Sequence, residues 1–266
     1  MSRFGPRASM VVAALAVAVL GLAACGGSGQ HRVVVAAGTT LVDSGFMDEL
    51  VAAYADTAPE IRVSIVGLSS AEAIAYASAG NAAVIITHNR ALLDAYLATN
   101  LSSARVDVFS SSFFLVADPT VDLPSGSLGA ALVVVAAEGI PFVSRDDGSG
   151  THAAELAAWE AVGIDPTGEP WYIRTGTGMG ATLLVTDQRH AVTLTEHGSF
   201  LAAQQPLSLV EVDGTLLPNP YDLTVIDPSG TPEALAFAAW LTSPEGREVI
   251  VEINERLFGT QVYAEP

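Results

Sequence analysis

The sequence predicts an α/β protein with mainly parallel sheets, folded as two α/β lobes. Three observations carry this. Strand-like apolar runs alternate with helix-like runs along the chain after residue 31. Several strand ends pass through a short Gly-, Ser- or Thr-rich turn into a helix start. The composition shifts once, at the Pro-, Gly- and Ser-rich stretch 119–129, and a second alternating set follows it. Half of the residues are apolar, which is enough for a sizeable core.

The first 25 residues read as a leader. Arg3 and Arg7 precede the 14 apolar residues 11–24, VVAALAVAVLGLAA. A spanning helix needs roughly 20 apolar residues, so this run fits a secretory signal over 1–24. It ends L-A-A-C, with Cys25 followed by Gly26-Gly27-Ser28-Gly29. This resembles a bacterial lipobox, in which the cysteine is lipidated and becomes the new N-terminus. Ordinary cleavage near Ala24, leaving Cys25 as a thiol, is the alternative. Cys25 is the single cysteine, so no intrachain disulfide can form. Residues 25–30 then read as a tether, and the expected location is extracytoplasmic, at a membrane held through the lipid.

Each element after the tether has its own signal. RVVVAA (32–37) is a buried-strand run. GFMDELVAAYADTAP (45–59) puts Phe46, Leu50, Val51 and Tyr54 on one helical face, with Pro59 past its end. RVSIVG (62–67) is a strand, and Ser69 with Glu72 has capping-box spacing for a helix to about Ala79. AAVIIT (82–87) is a strand and RALLDAYLA (90–98) a helix. RVDVF (105–109) and FFLVAD (113–118) read as two strands. In the second set, 128–139 is helical, PFVS (141–144) a strand and 151–163 a helix. WYIRT (171–175) is a strand, and a helix starts near Met179. AVTL (191–194) and SLVEV (208–212) are strands, NPYDLTVIDP (219–228) is extended, and helices over 232–242 and 244–257 close the chain. FFLVADP and LTVIDP, both ending Asp-Pro, are expected to be the two crossings of a hinge. That division assigns 31–115 with 225–266 to the first lobe and 116–224 to the second.

The net charge is −18, and all the basic residues besides histidine are arginines. Residues 1–24 contain no acid, so loss of the leader makes the chain more negative still. This argues against nucleic acid or an anionic membrane surface as a partner. A local site can still differ in sign, because exposed charges are screened beyond ~8 Å.

Four segments share one geometry: AAGTTLVDSG (36–45), VGLSSAEA (66–73), SRDDGSGTH (144–152) and TGTGMGATL (175–183). In each a strand ends, a small polar turn follows and a helix begins. Ligands on open α/β sheets bind at such strand ends, and helix N-termini offer free N–H groups to anions. Hydroxyls of Thr39, Thr40, Ser69, Ser149 and Thr151 add neutral donors. Taken singly, each segment could be only a helix cap. Arg145 suits an oxyanion through its fork of donors, or pairs with Asp146 or Asp147 at the surface. Arg174 is a weaker candidate of the same kind. GTGMGA (176–181) fits a dinucleotide pattern only weakly and sits late in the chain. Ser149 lies in D-G-S-G rather than a nucleophile elbow. The five histidines show no metal-ligand spacing, so neither a metal nor a cofactor is expected. Most of the five, His88 standing among them, are expected to be surface or capping residues. Trp159, Trp171 and Trp240 read as packing.

The motifs AAGTTLVDSG, PFVSRDDGSGTH, TGTGMGATL, AVTLTEHGSFL (191–201) and NPYDLTVIDP, in this order, resemble those of the tungstate-binding proteins of bacterial ABC transporters. These are relatives of the molybdate- and phosphate-binding proteins. The resemblance implies a type II periplasmic-binding-protein fold, two lobes on a two-strand hinge with an oxyanion in the cleft. It implies ligand-binding roles for Thr39, Thr40, Ser69, Arg145, Ser149, Gly150, Thr151 and Met179, with no catalytic residue. The ligand implied is tungstate or molybdate, and the partners an ABC permease and its ATPase; a monomer is expected. Two departures stand out: the family's threonine run is shortened to Gly38-Thr39-Thr40, and its usual Asp-Ala-Asp-Val is Asn81-Ala82-Ala83-Val84 here. Phosphate is the rival ligand, since it keeps a proton at neutral pH and wants a carboxylate acceptor, which Asp146 or Asp147 could supply. An enzyme acting on a phosphorylated substrate and a sensor lipoprotein of the same fold are the remaining alternatives.

Overall fold

The computed structural model describes residues 30–100, 104–203, 206–227 and 231–266. The leader, Cys25 and the tether through Gly29 lie outside them. The first set of elements is β1 (His31–Gly38), α1 (Thr39–Asp43), α2 (Phe46–Thr57), β2 (Ile61–Leu68), α3 (Ser70–Ser78), β3 (Val84–Thr87) and α4 (Arg90–Leu97). A long strand, β4 (Ala104–Ala117), leads to the second set. That set is α5 (Leu128–Glu138), β5 (Phe142–Ser144), α6 (Gly150–Ala161), β6 (Tyr172–Arg174), α7 (Met179–Gln188), β7 (Val192–Glu196), α8 (His197–Ala203) and β8 (Val210–Glu211). The return strand β9 (Leu217–Val225) and helices α9 (Pro232–Leu241) and α10 (Pro244–Phe258) complete the chain.

All strands join one nine-stranded sheet, ordered β2-β1-β3-β9-β4-β7-β5-β6, with β8 on β4. Within each set the pairing is parallel, β1 with β2 and β3, β5 with β6 and β7. The contacts of β4 and β9 are antiparallel. The expectation of mainly parallel sheets is therefore corrected to a mixed sheet. The reason is topological: a chain that leaves one core and returns must cross in opposite directions.

Alternate residues of each strand pack on opposite faces, and both faces are covered. In β1 and β3, Val35, Ala37, Val84 and Ile86 join one large core with α2, α9 and α10, while Ala36 and Ile85 pack with Ala73 and Ala77 of α3. At the far end of β4, Phe113 and Leu115 pack with Phe142 and Trp159, while Phe114 and Val116 pack with Met179, Leu183 and Phe200. Strands buried on both faces explain the unbroken apolar runs. Full burial of each such large side chain contributes roughly 1.5–3 kcal/mol.

Several expectations shift. RVDVF and FFLVAD are not two strands but the single strand β4, which runs through Ser110-Ser111-Ser112. The serines interrupt the apolar run, yet they stay in register with Asn219 and its neighbours on β9, and Ser110 also bridges to Ala264. Of the motifs FFLVADP and LTVIDP, FFLVA and LTV are the far ends of the two crossing strands, each embedded in a core. The passage between cores lies at the paired stretch Phe109–Ser112 and Pro218–Tyr221. SLVEV shrinks to the two residues of β8. Helices α1 and α8, five and seven residues long, follow their strands without a separating turn and carry no sequence signal of their own.

Candidate functional site

The parallel register brings the expected segments to one edge. Gly38 pairs with Leu68 and Ala37 with Ile86, so Thr39, Ser69 and His88 follow three neighbouring strands of the first core. In the second core Ser144 pairs with Arg174, so Arg145 and Thr175 leave side by side.

Arg145 is the centre. Its side chain is 1% exposed, although the chain around it is acidic. Nε and Nη2 donate to Asp147 Oδ2 at 3.0 and 2.6 Å. Nη1 donates to Thr151 Oγ1 at 3.5 Å, and Nη2 reaches across to Thr39 Oγ1 of the first core at 3.2 Å. These bonds use four of the five guanidinium donors. Asp147 is fixed in turn, since its Oδ1 accepts the Ser149 N–H at 3.0 Å. Burial pushes the Asp147 carboxyl up, but Arg145 and the Ser149 donors outweigh it and hold it below its ordinary value. Asp146 sits at φ 48°, a left-handed conformation that aspartate tolerates, and accepts from Arg174 Nε at 2.8 Å. Each aspartate of R-D-D-G-S-G-T-H thus holds an arginine.

Helix caps supply the rest. Ser69 caps α3 in a full capping box with Glu72, as its spacing predicts. Ser149 caps α6, its Oγ accepting the His152 N–H at 3.3 Å. Thr39, Ser69, Ser149 and Thr151 are therefore all acceptors inside the protein. Ser149 also gives its own hydroxyl proton to Asp147, whereas Thr39, Ser69 and Thr151 donate to no other group among the described residues. With one spare guanidinium N–H they form a donor-rich set, which suits an oxyanion.

Two expected residues sit differently. Thr40 faces the crossing strands, its Oγ1 3.2 Å from the Tyr221 hydroxyl and its carbonyl accepting from Ser199 Oγ at 3.5 Å. Met179 is fully buried and packs in the core with Phe114 and Phe200, so only its backbone N–H at the start of α7 is free for an anion.

Sequence reasoning missed four residues here. Asp43 of α1 lies near Gly178, the N-cap of α7; burial raises its carboxyl and Arg145 opposes the rise. His88, which the sequence does not single out from the other histidines, stacks on Tyr221 and packs against Gly150 of the other core. Asn219 holds the His88 ring. Glu196 is fully buried beneath the crossing, where burial raises its carboxyl. The motifs TLTEHG and NPYD carried the only signal for the last two.

A family model described as a PBP superfamily domain matches residues 26–245. The chain is 36% identical over 255 residues to a "Putative ABC transporter anion-binding protein" of Haloferax volcanii, covering 90% of this chain and 73% of that one. It is 31% identical over 249 residues to the tungstate-binding protein TupA of Peptoclostridium acidaminophilum, covering 88% and 85%. The crystal structure of the tungstate ABC transporter from Geobacter sulfurreducens superposes with a TM-score of 0.75 at 30% identity, over 83% of this chain and 98% of that one. With its mixed sheet, double crossing and donor-lined strand ends, the chain belongs to the PBP superfamily and has the type II periplasmic-binding-protein fold.

Proposed function

We propose that the protein is an extracytoplasmic solute-binding lipoprotein of an ABC importer that captures tungstate or molybdate between its two cores. In this reading Cys25 carries the lipid, and a membrane permease driven by an ATPase takes the ligand. Among the described residues no helix is long and apolar enough to cross a membrane.

The observation that carries the proposal is the bridge Thr39–Arg145–Thr151. It spans both cores, and the Thr39 and Thr151 hydroxyls accept from Arg145 with their own protons left to give. Tungstate and molybdate are fully deprotonated dianions at neutral pH and accept only. Phosphate keeps a proton and needs an acceptor; Asp147 is turned to Arg145 and the Ser149 amide, and Asp146 to Arg174. Capture needs no bond chemistry. Closure needs a ligand that touches both sides, since only differential contacts shift an open–closed equilibrium.

Calorimetric titration of residues 26–266 with tungstate, molybdate, sulfate and phosphate tests this. Tight binding of tungstate and molybdate is expected, with no turnover of phosphorylated substrates. Tight phosphate binding without heat from tungstate would overturn the choice of ligand.

A further inference from the structure

His88 leaves β3 on the first core and reaches the second. Its ring stacks on Tyr221, with centroids 4.9 Å apart and planes 9° apart, and lies 5.7 Å from the ring of Phe113. A Cβ placed on Gly150 would fall 2.1 Å from His88 Cδ2 and 2.2 Å from Nε2. The imidazole therefore fills the space where any other residue at the first position of α6 would carry its side chain. Ser149, Thr151 and Arg145 surround the same helix start, so His88 is part of the wall of the site.

A chain of hydrogen bonds decides which nitrogen carries the proton. Donors surround the Glu196 carboxylate: the Ser111 hydroxyl, the Gly198 and Ser199 amides, and the Ser199 and Tyr263 hydroxyls. Such a shell opposes the burial that raises the Glu196 carboxyl and favours its ionised form. Ser111 then gives its proton to Glu196, and its oxygen accepts from Asn219 Nδ2 at 3.4 Å. Nδ2 also donates to the Tyr221 hydroxyl at 3.0 Å, which turns Asn219 Oδ1 toward His88 Nδ1 at 2.9 Å. Oδ1 can only accept, so Nδ1 holds the hydrogen. In the neutral ring Nε2 is bare.

A bare nitrogen is an acceptor in a wall otherwise built of donors, and it repels a fully deprotonated oxyanion. We propose that His88 is a further recognition residue of this site, taking up one proton from water as such an oxyanion binds, so that its Nε2 becomes a donor to the anion. This rests on the oxyanion reading above. The groups facing the ring are Asn219 and Tyr221 of β9, Phe113 of β4, and Arg145 and Asp147 before α6. Burial keeps the Tyr221 phenol neutral by raising its pKa. Burial, with Arg145 adding to it, lowers His88 to about 4, against the opposing pull of Asn219 and Asp147, so the empty site holds a neutral ring. A bound dianion supplies the missing countercharge. A monoprotonated phosphate dianion would instead offer its own O–H to Nε2 and need no proton from water.

Titration of tungstate at pH 7 in buffers of different ionisation enthalpy measures the uptake. About one proton per bound ion is expected, with affinity rising up to tenfold per unit as pH falls from 8 to 6. The sign follows from a bound-state pKa above that of the empty site. His88→Asn is expected to abolish both the uptake and the slope, with thermal melting confirming that it folds. Nitrogen-15 NMR of the free protein should show His88 protonated on Nδ1, and Glu196→Gln should relax that preference. Heat without proton uptake, or a ring protonated on Nε2 in the free protein, would overturn the proposal alone. No heat from either tungstate or molybdate would overturn the oxyanion reading and this proposal with it.

Discussion

The two sides of the cleft are built from the same strand–turn–helix unit and furnished in different ways. The first core contributes Thr39, Ser69 and the neutral ring of His88 from three adjacent strand ends. The second contributes Arg145, with Asp147 holding it, Asp146 and Arg174 beside it, and Glu155 buried one turn along α6. Apart from Asp43 of α1, charge is thus concentrated on one side and already paired there. The contrast shows how an acidic protein can keep a buried arginine at an interface. Burying an unpaired charge is costly, and removing a partner from a pair strands the other. Here the Arg145–Asp147 pair lies wholly within the second side, so opening and closing never separates it. Between the two sides lie the Thr39–Arg145 bond, the contact of His88 with Gly150 and the Asp43 carboxyl near Gly178.

The largest test sets the two sides against each other. Arg145→Ala removes the cation and leaves Asp147 without its partner. A loss of tungstate affinity of about a hundredfold or more is expected, on the order of 3 kcal/mol. Thr39→Val removes one neutral donor and should cost about tenfold, roughly 1.4 kcal/mol. Calorimetry on both variants decides the matter. Equal losses would break the division into a charged side and a neutral one.

A smaller effect is expected where the sides meet. Gly150→Ala places a methyl group inside the His88 ring, which cannot retreat through its stack with Tyr221. The variant should fold, because α6 gains a better helix former, but it should close poorly. Affinity is expected to fall about tenfold, and small-angle scattering should show less compaction with ligand. Full compaction and unchanged affinity would mean that the ring is not seated on Gly150 in the closed state.

The charged side was the more legible in sequence. Arg145, Ser149, Gly150 and Thr151 lie within one short segment whose strand–turn–helix pattern needs no knowledge of distant residues. The capping box at Ser69 was readable for the same reason. The pairing of Asp147 with Arg145 was one of two open choices, because the geometry of the turn decides it. The neutral side hid most. His88 and Asn219 are 131 residues apart, and Ser111 and Glu196 are 85 apart. Their chemistry appears only when β4 and β9 pair across the cores. The same pairing carries β4 unbroken through its serines and makes the sheet a mixed one.

The smallest effect on binding, and the clearest on stability, belongs to Glu155 beneath the charged side. Its carboxylate accepts the Tyr172 hydroxyl, and burial raises it from 4.5 to about 7, against the opposing pull of that bond. The native state therefore holds a proton between these values that the unfolded chain has released. Stability is then greatest below about pH 4.5, falls as pH rises to about 7, and stays lowered above it. The drop is roughly 3 kcal/mol. Glu155→Gln keeps an acceptor for Tyr172 and has nothing to ionise, so it should be more stable than the native protein at pH 8 and equal to it near pH 4. Denaturant unfolding across this range measures the slope. If the variant keeps the full slope, the burden lies elsewhere, with the raised carboxyls of Asp43 or Glu196 the first to examine. If the slope disappears, the charged side carries both the ligand's countercharge and the protein's main pH sensitivity in this window.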